Sequence, residues 1–468
     1  MVVGEFTQES DLVIIGGGPG GYTAALRAAA QGQKVTLIDD NAQLGGVCLR
    51  VGCIPSKALL HVAEIMHLAE TAGPKGLEFA PPKINLDAMQ GFKSGVIDKL
   101  AGGIAGLCKN AKVEVLTGRA EFEGSKQLRL HGGEIDRIKF RRAVIATGSR
   151  PIAVPGINID SPRVMDSTGA LELEEIPKKL LIIGGGYIGL ELGQVYAALG
   201  SEITVVEMLD QIMTGVDPDL ARPLNRRLKE QFTGGIYVKT KVAKVSESGD
   251  GLKVDFEGDG APTNTTFDRV LVSVGRRPNT DGLGLEHTSV KVNEQGFIEV
   301  DSQMRTADKR IFAIGDAVGN PLLAHKAIRE GKVVADVLAG GSAEFDNVCI
   351  PAVVFTDPEI AWAGLTETEA KAQKLNIKVK KMPWSGSGRA VSLLRPDGLT
   401  KMICDADTGR VLGVGITGTH AGEMIAEAAL AIEMGATAED IAATIHPHPT
   451  LSETYQDVAD MFGVGAVH

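Results

Sequence analysis

The chain has 468 residues, enough for three or four domains of ordinary size. It is 44% hydrophobic with a mean hydropathy of +0.06, which suits a chain with sizeable cores and excludes a disordered polymer. A net charge of −11 disfavours nucleic acid and anionic membranes as partners, and five cysteines in so long a chain do not read as a secreted disulfide framework.

Met1 to Ser10 has neither the charged start and apolar core of a secretory signal nor the Arg-rich pattern of a transit peptide, so a cytoplasmic protein is expected. No apolar run in the sequence reaches the ~18 residues of a membrane span. An apolar strand is predicted over Leu12 to Ile15. A glycine cluster follows, then a small-residue helix from Tyr22 to about Ala30, a stop at Gly32 and a second strand over Val35 to Ile38. The same unit recurs: a strand over Leu180 to Ile183, a helix from about Ile188 to Leu199, and Gly200 at its end. Gly16, Gly18, Gly21, Gly32 and Asp39 recur 168 positions later as Gly184, Gly186, Gly189, Gly200 and Glu207.

A second echo closes each unit. Arg142 to Pro151 reads RAVIATGSRP and Arg269 to Pro278 reads RVLVSVGRRP. The first unit is the longer, and its excess lies between Asp39 and Gly148. Beyond Pro278 a smaller region ends in a strand over Ile311 to Ile314 and then Gly315–Asp316. From Cys349 the pattern becomes mixed and mainly antiparallel. Strands are expected at Val353 to Phe355, Lys378 to Met382, Thr400 to Cys404 and Val411 to Gly415, with helices near Glu367 to Lys374 and over Ala421 to Met434. The boundaries fall near 150, 277 and 349. This is an α/β chain with two Rossmann-like domains and a mixed α+β C-terminal domain.

Each fingerprint has the form Gly-x-Gly-x-x-Gly between a strand and a helix. The first glycine allows the turn, the second lets backbone approach a diphosphate, and the third lets helix pack on strand. The helix N-terminus then offers N–H groups to the phosphates. One such motif is equally well an ordinary glycine-rich turn. Two in register, each followed by a carboxylate for ribose hydroxyls, are not. The stretch after Glu207, Met-Leu-Asp-Gln-Ile, offers no cation for a 2′-phosphate, which favours NAD over NADP.

In LGGVCLRVGCIPSKALL, Cys48 and Cys53 are close, and the second stands just before a helix expected to begin at Pro55. A helix dipole there favours thiolate. The pair reads as redox-active; zinc would need two more ligands at metal-like spacing, and inert thiols are the other reading. Cys108, Cys349 and Cys404 stand alone and read as buried thiols. Near the C-terminus, IHPHPTLSETYQD holds His446, His448 and Glu453. A histidine between prolines, oriented by a carboxylate, suits a general base; a surface loop or a two-histidine metal site are the alternatives.

The segments GGGPGG, GGVCLRVGCIPSK, ATGSRP, GGGYIGLELG, SVGRRPN, IFAIGDAVGNPLLAHKA, VVFTDPEIAWAG and HPHPTLSE make the chain similar, along nearly its whole length, to the pyridine nucleotide–disulfide oxidoreductases. Within them it most resembles the members that reoxidise protein-bound dihydrolipoamide. That resemblance implies an FAD domain over 1–149 carrying the redox disulfide Cys48–Cys53, an NAD domain over 150–277, a central region over 278–348 completing the FAD site, and a dimerisation domain over 349–468. It implies FAD on Gly16, Gly18 and Gly21, with Asp39 on the adenosine ribose and Gly118 against adenine. Lys57 would lie near the flavin, and Thr147, Gly148, Asp316 and Ala324 along the rest of the cofactor. It implies NAD on Gly184, Gly186 and Gly189 with Glu207 on its ribose, and Tyr187, Glu191, Val242 and Gly275 around it. It further implies a homodimer in which His448 and Glu453 serve the partner's disulfide, no resident metal, and lipoyl domains on the acyltransferase core of a 2-oxo acid dehydrogenase complex, or a glycine cleavage system, as partners. A glutathione-type reductase would use NADP, against Glu207. A mercuric reductase would carry a C-terminal cysteine pair, which Met461 to His468 lacks. A mainly structural subunit would not need these intact sites. The chain departs from the usual family pattern at four places: Val47 stands for Thr, Arg50 for Asn, Asp39 for Glu and Tyr187 for Ile.

Overall fold

The structure is a computed structural model that describes residues 7–463 except 134 and 158. The readings of the chain's first six residues and of most of its tail lie outside the described residues. The chain divides into two compact units. The first comprises residues 1–58, 85–152 and 275–346; the second comprises 59–84, 153–274 and 347–468.

The first unit is built on a seven-stranded sheet. Four strands pair in parallel in the order Glu114–Thr117, Val35–Asp39, Thr7–Ile15 and Arg137–Ile145. Ile311–Ala313 adds to Arg137–Ile145 in parallel, while Gln127–His131 and Arg119–Gly124 extend the sheet antiparallel. Val13, Ile14, Leu37 and Val144 are fully buried, as expected of central parallel strands covered on both faces. The helix Pro19–Ala30 packs on the helix Ala324–Leu338, and Gly331 allows the approach: a Cβ there would come within 2.6 Å of Gly20 O. The two echoed segments meet in a short antiparallel ribbon, Ser149–Pro151 with Arg276–Pro278.

The second unit repeats the design. Gly235–Tyr237, Glu202–Val206, Lys179–Ile183, Arg269–Val272 and Val164–Met165 form a parallel sheet in that order. A three-stranded antiparallel sheet, Lys241–Ser248, Gly251–Glu257 and Thr266–Phe267, adds its own apolar face to this core. The C-terminal part is a five-stranded antiparallel sheet in the order Ala352–Val354, Glu359–Gly364, Val411–Gly418, Leu399–Asp405 and Ile377–Pro383. The helix Ala421–Met434 covers it through Ile425, Ala428 and Ile432.

The α/β architecture read from the repeat is the one observed. The first fingerprint helix begins three residues earlier than the sequence suggested, because Pro19 at its first position fixes a helical φ. The helix after the cysteines also starts early: Cys53 is its first residue, in Cys53–Glu70, and Cys48 lies in the preceding helix Gly46–Val51. Taken together, Gly46–Glu70 is long and apolar enough to cross a membrane by length and composition, although it contains Arg50, Lys57 and the break at Gly52.

Candidate functional site

In the first unit the strand Thr7–Ile15 runs into Gly16, whose φ of +108° favours glycine and whose added Cβ would collide with Ala146 O. A Cβ on Gly21 would strike Gly16 O. The loop therefore stays open to a ligand and closed to side chains. Gly18 starts the following helix without any side-chain cap and with no acid in its first turn. Tyr187–Ala198, capped by Gly186, and Ala324–Leu338 begin the same way. The short helices Glu367–Ala372 and Ala438–Ala442, by contrast, close their own ends with capping boxes. At these three longer helices no capping side chain covers the N-terminus, the end of a helix that favours an anion.

The two carboxylates are tethered alike. Gly17 N–H donates to Asp39 Oδ2 at 2.6 Å and Asn41 N–H to Oδ1 at 2.8 Å. Gly185 N–H donates to Glu207 Oε2 at 2.7 Å and Leu209 N–H to Oε1 at 2.8 Å. Each acid orients its glycine loop while keeping lone pairs for a further donor. Burial raises the Asp39 pKa and these amides oppose it. Gly118, at φ +153°, donates to Asp39 O at 2.8 Å and so adjoins the strand end.

The rest of the first-unit set is held firmly. Thr147 and Asn279 clasp each other: Thr147 Oγ1 donates to Asn279 O at 2.7 Å, and Asn279 Nδ2 to Thr147 O at 2.9 Å. Gly148 has φ +70° and accepts from Asn279 N–H. Asp316 accepts from Ser149 Oγ at 2.6 Å, and Arg276 Nε donates to that same Oγ at 2.8 Å. Behind Gly315 lies a buried pair that the motifs did not reveal. Glu330 Oε2 accepts from Gly315 N–H at 2.6 Å, and Lys326 reaches Glu330 Oε1 at 2.8 Å. Its only sequence trace is Lys and Glu four apart on an otherwise apolar face. Ala324 is the first residue of that helix.

Cys48 and Cys53 face one another across the break at Gly52, where a Cβ would press on Val47 O at 2.8 Å. A hydrogen bond in which the Cys48 thiol donates to Cys53, then burial, push the Cys48 pKa far up, while Lys57 acts to lower it. Of the other cysteines, Cys108 and Cys404 are buried, and burial pushes the Cys404 thiol up to about 12; Cys349 is half-buried.

In the second unit, Gly184 at φ +105° crowds Ser273 O, the counterpart of Gly16 on Ala146. Tyr187 opens the fingerprint helix and is partly exposed. Glu191 is only 3% exposed and accepts from Phe355 N–H at 2.9 Å. Val242 is buried beside a bulge. Gly275, grouped with NAD from the sequence, has φ +125° and falls within the first unit. His448 lies in the second unit with its side chain 80% exposed, and its Nδ1 meets Glu453 Oε1 at 2.7 Å. The carboxylate can only accept, so Nδ1 is the donor of this bond and Nε2 takes no part in it. Glu453 Oε2 accepts from Thr450 N–H at 2.7 Å. His446 is used up structurally: Nδ1 meets Thr444 O and Nε2 meets Glu427 Oε1, both at 2.9 Å.

The comparisons with known proteins agree with this geometry. A family described as pyridine nucleotide-disulphide oxidoreductase matches residues 10–331, and its dimerisation domain matches residues 350–459. Dihydrolipoyl dehydrogenase of Haemophilus influenzae is 47% identical over 456 residues, 97% of this chain and 95% of that protein. The Bacillus subtilis protein of the same name is 46% identical over 469 residues, 100% of this chain and 99% of its own. Among solved structures, LpdA from Mycobacterium tuberculosis has a TM-score of 0.89 at 27% identity, covering 97% of this chain and 99% of that one. The HOCl-induced flavoprotein disulfide reductase RclA from Escherichia coli has a TM-score of 0.86 at 30% identity, covering 96% and 99%.

Proposed function

The chain belongs to the pyridine nucleotide-disulphide oxidoreductase family, and from that premise we propose that it reoxidises protein-bound dihydrolipoamide to lipoamide, passing the electrons through Cys48 and Cys53 and FAD to NAD. The observation that carries this reading is the facing sulfur pair in the same unit as an uncapped dinucleotide loop. The dihydrolipoyl dehydrogenases at 46–47% identity support the substrate.

The residues present fit FAD on the first fingerprint and NAD on the second, because added Cβ atoms would fill both cradles. Gly16, Gly18, Gly21 and Asp39 would hold FAD, with Lys57, Gly118, Thr147, Gly148, Asp316 and Ala324 along it. Gly184, Gly186, Gly189 and Glu207 would hold NAD, with Tyr187, Glu191, Val242 and Gly275 around it. FAD, when bound, supplies a two-electron relay between sulfur and nicotinamide.

The chain's own residues do the rest. Nε2 of His448, with Nδ1 fixed by Glu453, takes a proton from the substrate dithiol. The resulting thiolate attacks Cys48, breaks the Cys48–Cys53 disulfide and leaves Cys53 as thiolate. The second substrate sulfur then attacks the first, closes the product disulfide and releases Cys48. The pair is left reduced by two electrons. In this reading the base comes from the partner subunit of a homodimer, an assembly supported by the family's dimerisation domain. We also assign residues 1–149 to FAD, 150–277 to NAD, 278–348 to completing the FAD site and 349–468 to the interface. Lipoyl domains and an acyltransferase core are its partners, and the cytoplasm is its place.

The test is steady-state turnover of the isolated protein. Dihydrolipoamide with NAD should be turned over rapidly, and glutathione disulfide with NADPH should not. The reverse preference would assign the site to another disulfide. No turnover of either would leave a binding subunit as the reading.

A further inference from the structure

The two fingerprints correspond well beyond their glycines. Leu44 packs on Gly17 as Ile212 packs on Gly185, and Gly45 N–H donates to Gly17 O as Met213 N–H donates to Gly185 O, each at 2.9 Å. All of these pairs keep the 168-residue offset. In the first copy the next turn is the helix Gly46–Val51, pressed onto the loop so closely that a Cβ on Gly46 would lie 2.6 Å from Gly18 Cα. Its last turn carries Arg50, whose Nε is buried without a hydrogen-bond partner. One turn earlier stands Val47, exposed and without a polar group. At the position matching Arg50, the second copy has Pro218.

The charges make this difference consequential. A dinucleotide diphosphate brings about two negative charges to a loop that already holds the buried Asp39. A helix end supplies only about half a compensating charge. A guanidinium can meet phosphate oxygens with two parallel donors, and an unpartnered buried N–H is costly until it finds an acceptor. Arg50 is also near enough to Asp39 to favour its ionised form. We propose that Arg50 is a counter-charge for the diphosphate on the first fingerprint and slows release of FAD from this chain, a contact that the second copy, with Pro218 at that place, lacks. The proposal rests on reading the first fingerprint as the FAD site.

The alternative role for Arg50 is structural: a last-turn cation complementing the end of its own short helix. Flavin release from the holoenzyme separates the two. First-order release is followed by flavin fluorescence at several salt concentrations in wild type, Arg50→Gln and Arg50→Lys. A lost charged hydrogen bond predicts release about 10- to 100-fold faster for Arg50→Gln. Its salt dependence should be weaker than that of wild type, since a screened contact is gone, and Arg50→Lys should fall between. Equal rates and equal salt dependence in wild type and Arg50→Gln would overturn the proposal. So would an accelerated Arg50→Gln whose salt dependence is unchanged, which marks a structural effect. If Arg50→Gln does not fold, Arg50→Lys decides: faster release supports the proposal, and release at the wild-type rate counts against it. A wild-type protein that purifies without flavin absorbance and takes up no added FAD would overturn the FAD reading itself.

Discussion

His448 combines exposure with a fixed ring, because Glu453 holds Nδ1 from five residues away and is itself anchored by Thr450 N–H. A general base of this kind contributes ~10²–10⁴ in rate. His448→Gln should lose that much in dihydrolipoamide-dependent NAD reduction, yet still pass electrons from NADH to a flavin-reactive dye. Loss of both activities would make the residue structural. Glu359 invites a second test. Burial, partly offset by Gly422 N–H and reinforced by Glu423, Glu64 and Asp357, pushes its pKa up to about 7. A raised folded pKa means that the stability is fully present below pH ~4.5 and is lost as pH rises through about 7. Glu359→Gln should therefore gain on the order of 2 kcal/mol at pH 8 and almost nothing at pH 5, as read by thermal unfolding. Equal destabilisation at both pH values would contradict this account.

Between elements, the second unit is tied by ions the motifs did not announce. Lys401, 1% exposed on Leu399–Asp405, meets Asp217 at 2.9 Å, Asp219 at 3.0 Å and Glu367 at 2.6 Å. Burial acts to lower the Lys401 pKa, but the three carboxylates hold it up. Asp217 also accepts from the Glu367 and Thr368 amides, so the start of the helix Pro218–Gln231 is bound to the antiparallel sheet region. Lys401→Met removes the lysine from the buried Asp217, while Lys381 still meets Asp219 and Glu367, and should cost about 3 kcal/mol; a loss under ~1 kcal/mol in denaturant unfolding would show that water replaces the lysine. The sequence could not disclose this network, since Lys401 lies 34 to 184 residues from its three partners. The fingerprints were legible because a positive φ and a close backbone approach are local demands that glycine alone meets without strain. The 25-residue helix Leu86–Asn110 was missed for a related reason. Gly91, Gly95, Gly102, Gly103 and Gly106 each lower its propensity by ~1 kcal/mol and break its pattern. It forms because Ile97, Ala101, Ile104 and Cys108 are buried along one stripe and Asn85 caps its start. The Cys48–Cys53 pair and the Glu453–His448 contact were legible for the same local reason, because their members are five residues apart. The bonds that hold Asp316 and Thr147 were not, because Ser149 and Asn279 come from distant segments.

For the whole molecule, the proposed mechanism joins a sulfur pair from one subunit to a base from the other, in the homodimer that the dimerisation domain supports. The measurement that tests this most directly is the activity of a mixed dimer, purified through two different tags, in which one chain carries Cys48→Ser and the other His448→Gln. Each parent homodimer should be nearly dead with dihydrolipoamide and NAD. In the mixed dimer one site collects both defects and the other is intact, so about half the wild-type activity per dimer should return. A mixed dimer as inactive as its parents, or a Cys48→Ser homodimer that still turns over dihydrolipoamide, would contradict the account.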